Sequence, residues 1–95
     1  MDDFQVKLSR SAQENLEGLM RDSSKRTVVE KVYTLLKQLG LRGAVQGNMP
    51  NYSKLADGRH HCHLKKGRPT YVAIWTVEGR VIKVTYIGTH EKAPY

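Results

Sequence analysis

Apolar positions change period along this chain, and the change divides it into elements. Phe4, Val6 and Leu8 alternate with Gln5 and Lys7, which predicts a short strand over 4–8. Ser9 or Ser11 can then cap a helix, and Ser11 with Glu14 three residues on fits a capping box. Ala12, Leu16, Leu19 and Met20 follow on one helical face, and Asp22, Ser23 and Ser24 interrupt it. A second helix is predicted from about Ser24 to Leu39, with Val28, Val32, Leu35, Leu36 and Leu39 as its stripe and Gly40 as a C-cap. Between Gly40 and Gly58 the periodicity disappears. Gly43, Gly47, Pro50, Asn48 and Asn51 make this stretch a long loop with at most a short turn of structure.

After Gly58 the period falls to two. Arg59–Lys65, Tyr71–Val77 and Arg80–Gly88 read as strands joined by connections short enough to demand antiparallel hairpins. The order is βααβββ, an α+β arrangement with a helical hairpin on one face of a small, mainly antiparallel sheet and the other face open. On the last strand, Ile82, Val84 and Tyr86 form the row expected under the helices, which turns Lys83 to the open face. On the first strand of the meander Cys62 and Leu64 point inward, so His61, His63 and Lys65 share the open face. The two rows of 71–77 are both apolar and cannot be assigned by alternation.

Ninety-five residues suit one domain, 1–95, with 39% hydrophobic and 26% charged positions. Neither a signal-peptide pattern nor an apolar run long enough to span a membrane is visible, and Cys62 alone gives no disulfide framework. These features predict a cytoplasmic chain. The formal net charge of +7 is unevenly placed. Residues 1–30 hold five basic against six acidic side chains, a net −1, and residues 31–95 hold eleven against three, a net +8. Such an excess points to a polyanionic partner, although a charge run is often only a solvated face.

Histidines sharpen that choice. His60 reads as an exposed strand residue with no special role, whereas His61 and His63, two apart, put their imidazoles about 6.6–7 Å apart on one face. His90 follows the last strand. Imidazoles titrating near neutrality can take the proton of a 2′-OH and give one to a leaving 5′-oxygen, and surrounding Lys and Arg can stabilise the charged phosphorus centre. That is metal-free RNA cleavage without a cofactor. A three-histidine zinc site is the rival use, disfavoured by its basic neighbours. Cys62 belongs to the core rather than to catalysis. Trp75 and Tyr71 can stack on bases, but a buried strand aromatic is commoner. Tyr95, after Pro94, has little reason to be core.

The βααβββ order, the stretch DGRHHCHLKKGRPTYVAIW and the segment GTHEKAPY resemble the RelE superfamily of bacterial type II toxins, with the pattern of its YafQ-like branch. The resemblance implies a ribosome-dependent endoribonuclease that cuts mRNA in the ribosomal A site and is held inactive by a cognate antitoxin. His63 matches the branch's strand histidine, His61 stands at a neighbouring polar catalytic position, and His90 matches the C-terminal general acid or base. Tyr95 falls near the family's terminal aromatic, one residue beyond the expected spacing, with Lys92 between it and His90. Lys65, Lys66, Arg68, Lys83 and Lys92 would bind RNA phosphates. RelE carries lysines where His61 and His63 stand, and an arginine on the third strand near Val72; Arg68 or Lys66 would have to replace its charge. The same fold also serves ParE-like gyrase inhibitors, and a non-catalytic basic RNA- or ribosome-binding module is a third reading.

Overall fold

The computed structural model describes residues 4–42, 52–54, 57–65, 67 and 69–94. Strand β1 (Gln5–Leu8) leads into helix α1 (Arg10–Met20), a 3-10 turn over Ser23–Lys25, and helix α2 (Arg26–Arg42). Four strands follow: β2 (Tyr52–Lys54), β3 (His60–Lys65), β4 (Tyr71–Glu78) and β5 (Val81–Thr89). A 3-10 turn over His90–Lys92 comes after β5. The five strands form one sheet in the order β1-β5-β4-β3-β2, antiparallel except for β1, which runs parallel to β5.

Ser9 is the cap of α1. Its hydroxyl accepts from the Ala12 backbone at 3.0 Å and donates to the Thr85 carbonyl at 3.3 Å, tying the helix start to β5. The helix therefore begins two residues earlier than the Ser11–Glu14 pair would set it, and that capping box is not the one used. Gly40 does not end α2, which continues to Arg42. Buried in the helix, Gly40 instead accepts the Phe4 amide through its carbonyl at 3.1 Å. The long loop after α2 contains a strand: Tyr52–Lys54 adds to the outer edge of β3, opposite Cys62, His61 and His60. Three residues carry too little alternation to announce a strand, and only the edge of β3 gives them one.

The helices lie on one sheet face. Ala12 and Leu16 of α1 and Val28, Val32, Leu35 and Leu39 of α2 bury against Cys62, Leu64, Tyr71, Ala73, Trp75, Ile82, Val84 and Ile87. The row of β4 left unassigned by its sequence is thereby settled: Tyr71, Ala73 and Trp75 face the helices. Tyr86 does not share that face. The pairing of β4 with β5 shifts between Ile74 and Trp75, so that Ile74 opposes Tyr86 while Trp75 opposes Val84. Thr85 is the additional residue of a bulge, and beyond it inward and outward positions exchange. Ile87 takes the core position, 1% exposed, and Tyr86 opposes Ile74 on the other side. Gly79, with φ of 61°, supplies the left-handed conformation that the tight β4–β5 hairpin needs.

Candidate functional site

The face away from the helices carries His61 and Ile74 opposite one another on β3 and β4, then His63 and Val72 one step along. Tyr86 and Gly88 continue these rows onto β5. Ile74 and Val72 are fully buried although no helix covers them. The segment after β5 returns to this face. His90 donates its backbone N–H to the Thr70 carbonyl at 2.8 Å, and Ala93 closes the 3-10 turn by donating to the His90 carbonyl at 3.3 Å. Four residues past His90, the Pro94 carbonyl accepts from the Arg59 guanidinium at 2.6 Å, just before the start of β3. Residues 90–94 thus run back across this face, from the Thr70 end of β4 to the beginning of β3.

That return brings a third imidazole over the first two. Ring centres lie 4.9 Å apart for His61 and His63, edge to face, and 5.5 Å apart for His63 and His90, nearly parallel at 14°. His61 and His90 are separated by 6.3 Å. One ring nitrogen from each residue lies within 4.8 Å of the other two. The three differ in access. His61 is 7% exposed, His63 is half-buried, and His90 is exposed. Burial, followed by repulsion from His63 and His90, lowers the His61 pKa below the ordinary 6.5, so this imidazole is neutral at pH 7. His63 and His90 line an open cleft of about 600 Å³ together with Gly67, Pro69, Thr70 and Glu91.

Arg59 is the residue that sequence reasoning overlooked. It bonds the Asp57 carboxylate through Nε at 2.6 Å while its Nη1 holds the Pro94 carbonyl. The Arg59 backbone N–H, and then its guanidinium, hold the Asp57 carboxyl below its usual range. An arginine at the start of a strand gives no sign of this role in the sequence, because its partner lies 35 residues away. Gly88 also has a specific purpose. A Cβ there would meet Tyr86 Oη at 2.6 Å and Cζ at 2.8 Å, so the Tyr86 ring lies across Gly88, where its hydroxyl donates to the Thr89 carbonyl at 2.8 Å.

His61, His63 and His90, expected from the sequence to act together, come together. The basic residues are more dispersed. Lys83 opposes Thr76 on the open face as expected, but two strands across and two residues along separate it from His61, about 12 Å. Lys65 is exposed, yet it does not continue the row of His61 and His63. The register of β3 shifts between His63 and Lys65, and Lys65 pairs with Tyr71, whose ring is on the helical side. Lys92 lines a separate cleft with Glu14, Asn15, Tyr86 and Gly88. Lys66, Arg68 and Tyr95 lie outside the described residues.

His60 is not exposed. At 8% accessibility it stacks on Trp75 on the helical side, with ring centres 5.9 Å apart, because the two oppose each other across β3 and β4. Trp75 is fully buried and Tyr71 nearly so, which removes both from base stacking. Cys62 is in the core, where burial pushes its thiol up to about 11 and leaves it a poor nucleophile.

No protein-family model matches the chain, and no curated protein matches it in sequence. Solved structures do match. The YoeB toxin of Staphylococcus aureus, solved as a dimer, aligns over 93% of this chain and 98% of its own, at 21% identity and a TM-score of 0.74. In the YoeB–YefM complex from the same organism the figures are 92%, 97%, 21% and 0.72. The fold is that of the YoeB toxins. A YoeB/ParE toxin from Agrobacterium tumefaciens extends the likeness, covering 92% of this chain and 99% of its own at 14% identity and a TM-score of 0.68. The RelE/ParE-type toxin fold expected from the βααβββ order is thus present, with the short β2 as an addition to that order. Among the described residues no helix is long and apolar enough to cross a membrane.

Proposed function

We propose that this chain is the toxin of a type II toxin–antitoxin pair and an endoribonuclease that cuts mRNA in the ribosomal A site of the cytoplasm. The observation that carries the reading is the convergence of His61, His63 and His90 from two separated segments, with His63 and His90 lining one cleft. A purely binding surface has no need of three imidazoles in mutual contact. The antitoxin is supported by the relatives, since the Staphylococcus aureus YoeB structures include a complex with YefM.

His63 and His90 line the cleft and so meet the substrate. One imidazole takes the 2′-OH proton, the 2′-oxygen attacks the adjacent phosphorus, and the other protonates the departing 5′-oxygen. His61 sits behind them, neutral and packed edge-on against His63, and orients that ring. Arg59 holds residues 90–94 in place and with them His90. Lys65, Lys66, Arg68, Lys83 and Lys92 attract the phosphate backbone, and Tyr95 stacks on or orients a base. The strands and the C-terminal turn supply all the proton-transfer groups, so the reaction needs no cofactor.

The second reading is a ParE-like gyrase inhibitor, favoured by the likeness to the Agrobacterium YoeB/ParE chain. Induced expression distinguishes the two readings. Under the cleavage reading, primer extension on a reporter mRNA finds new 5′ ends within coding sequence, and His90→Ala abolishes both these ends and growth arrest. Growth arrest with intact mRNA and induced DNA-damage signalling would establish the ParE-like reading instead. Salt-dependent ribosome binding with no cut under any condition would leave only a basic binding module.

A further inference from the structure

The three imidazoles converge more tightly than exchange of a proton with a phosphate ester demands. With ring nitrogens mutually within 4.8 Å, they approach the spacing of ligands around one small cation. In a tetrahedral site with metal–nitrogen bonds of about 2.0–2.1 Å, ligating nitrogens stand about 3.4 Å apart. The remaining closure, roughly 1.4 Å, is within the swing of an imidazole about its side-chain torsions. His61 and His63 are held two residues apart on β3, inside the sheet, while His90 is exposed on the 3-10 turn.

Donor chemistry then selects the metal. A set of three imidazole nitrogens without a carboxylate is poor for magnesium or calcium, which take oxygen ligands, and suits zinc or its borderline neighbours. Two of the described basic side chains offer little opposition to a cation there. Lys83 is about 12 Å from His61, and the Arg59 charge is compensated by Asp57. Glu91 places a negative charge on the wall of the same cleft, and the open side of the cleft leaves room for water at a fourth coordination position.

We infer that His61, His63 and His90 form a binding site for a zinc-class divalent cation, and that its occupancy switches off RNA cleavage. Inhibition rests on the proposed cleavage chemistry, because an imidazole lone pair committed to a metal cannot accept a proton. Binding itself does not depend on that reading.

Zinc sulfate titrated into the purified full chain, followed by calorimetry, tests the site. One ion binds per chain with micromolar affinity, and His63→Gln and His90→Gln each weaken binding by about tenfold or more. Both positions are accessible, so these variants keep the native melting temperature. In the same preparations, zinc stops mRNA cleavage on ribosomes and a chelator restores it. Absence of saturable zinc binding, or binding undiminished in both variants, overturns the site. Cleavage that continues at full rate with zinc bound overturns the switch. A chain that binds zinc through these histidines but never cuts mRNA upholds the site and overturns the cleavage reading. A chain that cuts mRNA through His63 and His90 yet binds no zinc does the reverse.

Discussion

Burial of His61 has a measurable consequence for stability. The unfolded chain takes up a proton on this imidazole near pH 6.5, whereas the folded chain resists doing so until lower pH. Stability from this residue is complete above 6.5 and is lost as the pH falls below it, until the folded imidazole also protonates. The slope cannot exceed that of one proton, about 1.4 kcal/mol per pH unit. Denaturant unfolding of the wild-type chain across this range should therefore show a decline that is flattened in His61→Gln; equal slopes in the two proteins would contradict it. Residue-level packing gives a second prediction. Gly88→Ala pushes the Tyr86 ring off its place and breaks its hydrogen bond to Thr89, at a cost of about 1–2 kcal/mol. For a chain this size that is a fall of at least about 4 °C in Tm. In a Tyr86→Ala background the same substitution should cost much less, and a full additive loss would show that the ring contact is not the cause.

At the scale of elements, much of the site was legible because strands obey a period of two. The placement of His61 and His63 on one face, and of Cys62 on the other, needed nothing more than alternation. Where alternation broke, the sequence misled. The bulge at Thr85 exchanged Tyr86 for Ile87 in the core, and the shift before Lys65 removed that lysine from the histidine row. Neither break carries a marker such as glycine or proline at the displaced residue. Strand β2 escaped notice because its pairing is dictated by the β3 edge, not by its own three residues. The return of residues 90–94 was invisible for a similar reason: it is tied by a backbone bond to Thr70 and by one long side chain, Arg59, neither of which leaves a pattern in the sequence. Arg59→Gln should leave the melting temperature within about 1–2 °C, since the bonds described for its guanidinium, to Asp57 and to the Pro94 carbonyl, are exposed. It should nevertheless slow mRNA cleavage by about tenfold or more through loss of His90 alignment. An unchanged rate would show that Arg59 does not position the segment.

Across the whole molecule, the described lysines after residue 30 and the histidine cluster occupy different places. The net +8 after residue 30 gives the chain an attraction for polyanions, but Lys65, Lys83 and Lys92 point to different regions rather than encircling the histidines. Charge of this kind speeds encounter and holds a backbone without choosing a bond to break. Under the proposed cleavage reading, selection of the bond would fall to the three imidazoles that the fold assembles from β3 and the segment after β5. The most direct measurement is single-turnover cleavage of a defined mRNA on programmed ribosomes, comparing wild type with His63→Gln and His90→Gln at matched melting temperatures. Wild type should cut within the codon in the A site, and each variant should be slower by at least about 100-fold. A folded His90→Gln chain that cuts at the wild-type rate would contradict the account.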